Sequence, residues 1–239
     1  MRYLGGKSRT ARQIAGCINT IRQPGQPYWE PFVGAGWVLA RVRGEPIFAS
    51  DANQALIFMW QRLQRGWEPP AVVTEEQYAI ARSGGYDAAL TAFVGFGCSF
   101  GGKWFGGYAR GNTSPKMVKR SLLDKSKWFE NVHFFAADFL TCYPPTSSCL
   151  IYCDPPYDDT TGYGAVPKFS TIKFWDRVRL METCGHTVIV SEYQAPDDFT
   201  CILEMPTKTE MRTVDNGREA RTERLFRLGE HTPIQPGLF

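Results

Sequence analysis

The residues best suited to chemistry lie at 154–157, where Asp154-Pro155-Pro156-Tyr157 follows the apolar run Leu150-Ile151-Tyr152-Cys153. A buried strand that ends in an acid delivers its carboxylate to the carboxyl edge of an open α/β sheet, where such sheets bind ligands. The two prolines fix the backbone and remove amide donors that would compete for the neighbouring carbonyls. Tyr157 adds a flat ring beside the acid. This corner suits a planar substrate with an exocyclic amine: the Asp154 carboxylate and the Pro155 carbonyl accept the two amino hydrogens while Tyr157 stacks on the ring. Held in this way, the nitrogen lone pair turns out of conjugation and becomes a nucleophile.

A second constellation is Glu30-Pro31-Phe32-Val33-Gly34-Ala35-Gly36, a strand ending in a glycine turn that lets backbone approach a ligand closely. Asp51 ends the following strand, near where nucleotide-binding folds hold a ribose diol, and Asp138 ends a third. With Asp154, these acids would line one edge of a sheet. A dinucleotide fingerprint competes for the glycine turn, but Leu39 stands where its third glycine is needed, so hydride chemistry falls behind.

The elements that must position these residues follow from periodicity. Helices are expected over 7–22, 37–43, 53–65 and 171–184, and strands over Tyr28–Phe32, Ile47–Ser50, Val132–Ala136, Leu150–Cys153 and Val188–Ser191. Two further strand-like runs, 200–205 and 222–228, flank Asp215-Asn216-Gly217, a hairpin turn signal. Alternating strands and helices predict an α/β domain with a mainly parallel sheet. Residues 67–130 break the alternation and read as an inserted lobe within a catalytic domain of 1–66 and 131–239. The lobe holds a loop, 95–111, with seven glycines and the aromatics Phe96, Phe100, Trp104, Phe105 and Tyr108.

The chain has 239 residues, 43% hydrophobic and 21% charged, enough to close a sizeable core and too apolar for disorder. A net charge of +3 requires no anionic partner by itself, so any case for nucleic acid is local. Over 101–130 the basic residues Lys103, Arg110, Lys116, Lys119, Arg120, Lys125 and Lys127 face only Asp124 and Glu130, an excess of five that reads as a phosphate footprint. Seven cysteines without a CxxC pair, and only three histidines, speak against a disulfide scaffold or a metal site. No run is long and apolar enough for a bilayer, and Arg2, Lys7, Arg9 and Arg12 replace the apolar stretch of a signal peptide, so no membrane and a cytoplasmic setting are expected.

Tyr3-Leu4-Gly5-Gly6-Lys7, the Glu30–Gly36 turn, Asp51 and Asp154–Tyr157 occur in the order found in Dam-like (D12 class) DNA adenine N6-methyltransferases, and over nearly its whole length the chain resembles that family. The resemblance implies a Rossmann-like class I methyltransferase sheet with an antiparallel C-terminal hairpin strand and a mostly helical target-recognition lobe. It implies S-adenosylmethionine as cofactor, double-stranded DNA as partner, no metal, and work at the bacterial nucleoid or in a phage-infected host cell. Carried over by position, Tyr3, Lys7, Glu30, Phe32, Gly34, Gly36, Asp51 and Asp138 would hold the cofactor, with Asp154 shared between cofactor and base. Asp154, Pro155, Pro156 and Tyr157 would hold the target base. Where relatives often read Ser-Asn after the fifth strand, this chain has Ser191-Glu192-Tyr193, and no role is carried onto those residues.

The expected reaction is direct in-line methyl transfer to a base flipped out of the duplex. Lys103, Trp104, Tyr108, Arg110, Lys116, Lys119 and Arg120 are the expected DNA contacts, with Trp104, Phe105 or Tyr108 filling the gap, and Asp158–Lys168 a lid over the base. Other amines on the same fold, cytosine N4 or RNA, are alternatives; Asp154, where those relatives more often carry Ser or Asn, favours adenine. A catalytically inactive nucleic-acid-binding relative would show damaged motifs, and none is evident. Monomer and weak dimer are both compatible with the sequence.

Overall fold

The computed structural model describes residues 1, 3, 5–110, 115–156, 169–212 and 218–234, with side chains omitted over 207–221. Seven strands form one sheet in the order β3-β2-β1-β4-β5-β7-β6. They are β1 (Tyr28–Glu30), β2 (Ile47–Asp51), β3 (Val132–Ala136), β4 (Leu150–Cys153), β5 (Thr187–Glu192), β6 (Phe199–Arg212) and β7 (Arg218–Leu228). The first five run parallel, and β7 inserts antiparallel between β5 and β6. This is the Rossmann-like α/β sheet with a reversed hairpin that the resemblance implies. Strand order changes direction between β1 and β4, so the crevice at their carboxyl ends is the topological switch point.

Strand alternation splits the core in two. Tyr28, Leu150, Tyr152 and Ile189 face one apolar layer, while Trp29, Ile151, Cys153, Val188 and Val190 face the other. The first layer holds α1 (Ala11–Ile21), α2 (Gln54–Gln64), α3 (Glu75–Arg82), α4 (Ala88–Ala92) and α5 (Pro115–Ser126). Val73, Phe93, Phe96, Val118 and Leu122 join the same cluster as Ile14, Leu56 and Trp60, so residues 67–130 pack onto the sheet layer and share its core. The second layer is built on α6 (Thr171–Thr183), whose Phe174, Trp175, Val178 and Met181 are buried. Cys149 and Cys153 are buried thiols bounding β4, in keeping with the apolar run they enclose.

Two boundaries differ from expectation. No α-helix forms over 37–43; only a 3-10 turn, Leu39–Arg41, is present. The carbonyls that would extend a helix are taken by side chains instead: Asn19 donates to Arg41 O at 3.1 Å, and Arg22 donates to the carbonyls of Arg43, Gly44 and Pro46. With Gly44 at φ +78°, the chain leaves helical space and turns into β2. Similarly, α1 begins at Ala11 rather than 7, preceded by a turn in which the Lys7 carbonyl accepts Thr10 N at 3.2 Å and Ala11 N at 2.7 Å while the Lys7 side chain reaches Asp154. The terminal hairpin is longer than expected, and its Asp215-Asn216-Gly217 turn lies outside the described residues.

The Phe174 ring sits between Phe32, Phe139, Phe169 and Trp175 at centroid distances of 5.2–6.0 Å. Phe174→Ala opens a cavity there and is expected to cost about 3–5 kcal/mol, read by urea unfolding. A loss below 1 kcal/mol would show that α6 does not anchor this layer.

Candidate active site at the carboxyl edge of the sheet

Parallel pairing brings the separate motifs together. Trp29 is level with Ile151 on β4 and with Phe48 on β2, so the turn after β1 lies between the end of β2, with Asp51, and the end of β4, with Asp154. Asp51 accepts Gly34 N at 3.0 Å and Asn53 N at 2.9 Å, while Asn53 caps α2 by accepting Leu56 N at 3.0 Å. Burial pushes the Asp51 carboxyl up to about 6 despite those two donors. Each carboxylate oxygen keeps acceptor capacity, which matches a vicinal diol.

Close packing explains why the turn needs its glycines. Gly34 and Gly36 have φ of +45° and +62°, and a Cβ on them would stand 3.0 Å from the Tyr3 ring and 2.9 Å from Phe129. Tyr3 in turn stacks at 4.9 Å on Phe96 of the 95–111 loop. The carbonyls of the turn are fixed from the helical layer: Trp60 Nε1 donates to Gly34 O at 3.0 Å and Lys125 Nζ donates to Ala35 O.

Charge is concentrated around Lys7. Its ammonium, on a residue only 6% exposed, lies 2.6 Å from Asp154 Oδ1 and 3.6 Å from Glu223 Oε2, while Ser191 Oγ donates to Glu223 Oε1 at 2.7 Å. Burial pulls the Lys7 pKa down, but Asp154 and Glu223 outweigh it and hold the ammonium above its usual value. Burial raises Asp154 to about 6, with Lys7 opposing and Glu223 adding. Burial also raises Glu192 to about 7; the hydrogen bond from Tyr193 N opposes this and Asp154 adds to it. Deeper still, Glu30 is 2% exposed, accepts the Tyr28 hydroxyl at 2.8 Å, and is driven well above the carboxylate range by burial. Among the described residues, Asp154, Glu192 and Glu223 thus gather around the Lys7 ammonium, an acid-rich setting that suits a cationic ligand.

Phe32 is half-buried on the opposite face, 5.4 Å from Phe139 and 6.0 Å from Phe169. Pro155 is buried and Pro156 half-buried, whereas Tyr157 and the expected lid at 158–168 lie outside the described residues. Asp138 is exposed at the same edge, where its Oδ1 accepts Leu140 N at 2.9 Å. Among the expected DNA contacts, Lys103 and Lys116 are exposed. Arg110 pairs with Glu75, Lys119 with Glu68 at 2.7 Å, and Arg120 with Asp124 at 3.8 Å. Trp104 packs on Phe96 at 4.6 Å and the Tyr108 hydroxyl donates to Val73 O, so both rings are held within the layer; Phe105 lies 4.8 Å from Trp104, and Phe100, 67% exposed, is the outward aromatic of this loop.

Sequence reasoning missed Glu223, Glu192 and Ser191 as neighbours of Asp154, and Trp60 and Lys125 as clamps on the glycine turn. The one available signal for Glu223 was an acid on the same strand face as the core residue Leu225. Among the described residues, no group of three or more His, Cys, Asp or Glu side chains could hold a metal ion, and no helix is long and apolar enough to cross a membrane.

Residues 3–81 match the family model described as D12 class N6 adenine-specific DNA methyltransferase. That span contains Tyr3, Lys7, the glycine turn and Asp51, and ends before Asp154. No curated protein matches the chain. Among solved structures, it is similar to the rRNA methyltransferase AviRa from Streptomyces viridochromogenes, at 12% identity and a TM-score of 0.45, over 94% of this chain and 86% of that one. It is also similar to the 23S rRNA methyltransferase ErmE, at 12% identity and a TM-score of 0.45, over 98% and 72% of the respective chains. The family match bears out the resemblance over residues 3–81.

Because Asp51 binds its proton more tightly folded (about 6) than unfolded (about 4), it costs stability progressively as pH rises from 4 to 6 and fully above that. Asp51→Asn is therefore expected to melt several degrees higher than the parent at pH 8, an advantage that disappears at pH 4, as read by paired thermal melts. An equal difference at both pH values would contradict the burial of this charge.

Proposed function

We propose that this methyltransferase moves a methyl group from S-adenosylmethionine to the N6 amine of adenine in double-stranded DNA, with the target base turned out of the helix. The observation that carries the reading is that Asp154-Pro155 ends the strand beside the glycine turn, with the Asp154 carboxylate held 2.6 Å from the buried Lys7 ammonium. Asp51, Phe32 and the Gly34–Gly36 turn, backed by Tyr3, are the residues that would hold the cofactor, and the acids beside Lys7 suit its positive charges. The bound cofactor supplies an electrophilic methyl group and a neutral leaving group.

The chain supplies alignment. Above pH 6 the Asp154 carboxylate is ionised and accepts one amino hydrogen, and the Pro155 carbonyl accepts the other. Both bonds strengthen as the nitrogen gains positive character, which is selective stabilisation of the transition state. A carboxylate with a pKa of about 6 is too weak to strip an aromatic amine beforehand, so its role is orientation and charge stabilisation. Lys7 and Glu223 fix its position.

Turning the base out costs a few kcal/mol. Phe100, exposed on the loop whose Phe96 packs on Tyr3, would fill the vacated stack, and the exposed Lys103 and Lys116 would meet phosphates. The ion pairs of Arg110, Lys119 and Arg120 lie at the surface, where such pairs contribute little and exchange readily for phosphate. A cytoplasmic setting, at the bacterial nucleoid or in a phage-infected host, accompanies this reading.

Nucleoside mass spectrometry of plasmid treated with protein and S-adenosylmethionine is expected to find N6-methyladenine, reduced at least about 100-fold by Asp154→Ala, in line with the loss of a transition-state contact. Methylcytosine alone, or equal product from the variant, would overturn the assignment. With 2-aminopurine at the target position, Phe100→Ala is expected to lower the fluorescence gain on binding about tenfold; an unchanged gain would remove Phe100 from base extrusion.

A further inference from the structure

A groove of about 790 Å³ runs along the first helical layer, between α1, the 37–43 segment and α5. Its rim carries Arg12, Arg41, Arg43 and Arg120, and its aromatic walls are Trp37 and Trp128. Asp124 is the acid that lines it. Trp128 is 69% exposed, an unusual position for an indole. Lys125, on the floor, is committed to the Ala35 carbonyl and lies 4.1 Å above the Trp37 ring, so the rim arginines provide the outward charge. Arg12 and Arg43 are exposed and make no ion pair among the described residues.

The groove begins beside the glycine turn. Trp37 directly follows the glycine turn, and a Cβ on Gly6, next to Lys7, would meet the Trp37 ring at 3.6 Å. Arg12 stands on the first turn of α1, five residues after Lys7. A polyanion leaving the Asp154 corner would pass over Trp37 into a cleft of guanidinium groups that match phosphate geometry.

We infer that this groove is a second DNA contact, binding the phosphodiester backbone that flanks the target base, with Trp128 packing against the strand. The inference rests on the DNA reading above. It adds α1 and the 37–43 segment to the 67–130 segment to which the basic footprint points, with Arg120 and Trp128 on the shared wall.

The test uses the full chain, a fluorescein-labelled 20-base-pair duplex and a salt titration, comparing the parent with an Arg12→Glu/Arg43→Glu variant and with Trp128→Ala. The double variant is expected to bind duplex at least tenfold more weakly and to lower the slope of log affinity on log salt by about 2, as two lost phosphate contacts require. KM for duplex rises, kcat at saturating duplex stays the same, and calorimetric affinity for S-adenosylmethionine is unchanged; Trp128→Ala weakens binding without altering the salt slope. If the parent binds and methylates duplex while the double variant matches it in affinity and slope, the groove is not a DNA contact and the proposed function stands. A parent that binds the cofactor but no duplex overturns both.

Discussion

The buried contact between Lys7 and Asp154 is the constraint to which the rest of the site answers. A lysine this deep is tolerable only while carboxylates surround it, and a carboxylate this deep only while a cation stands close. The pair therefore ties the N-terminal segment to the end of the fourth strand, and Glu223 ties both to the reversed hairpin. Three stretches of chain far apart in sequence are locked to one point. Among the described residues, the acids Asp154, Glu192 and Glu223 gather around the Lys7 ammonium.

The glycine turn works by steric means. Its two positive-φ glycines are enforced by rings that press on them, Tyr3 from one side and Phe129 from the other, and its carbonyls are pinned by Trp60 and Lys125. Here the helical layer contributes directly to the site: α2 supplies Trp60, α5 supplies Lys125, and the 95–111 loop supports Tyr3 through Phe96. Substitutions in those helices act on the geometry of the glycine turn without lying in it.

Much of the fold was legible because apolar runs of strand length mark buried parallel strands without ambiguity. Leu150–Cys153 and Val132–Ala136 fall where periodicity puts them, and Asp51 and Asp154 were identifiable as strand-end acids for the same reason. The 37–43 segment was misread because its apolar spacing is helical while its carbonyls are claimed by Asn19 and Arg22, partners that only the tertiary fold brings near. Glu223 was invisible for a related reason: its register on β7 becomes meaningful only once that strand is known to lie beside β5. The inward packing of Trp104 on Phe96, and of Tyr108 on Tyr78 and Val73, likewise depends on contacts that composition cannot rank.

The insertion of β7 between β5 and β6 carries a kinetic corollary. Glu223 reaches Lys7 across 216 positions of chain, a separation that makes this among the slowest kinds of contact to form during folding. The parallel strands and their two apolar layers can assemble on shorter-range contacts, leaving the chemistry-bearing corner to be stitched shut afterwards. Conversely, fraying of the hairpin would loosen this corner while most of the sheet stays intact, so that the geometry around Asp154 reports on the integrity of the last seam rather than on the bulk of the molecule.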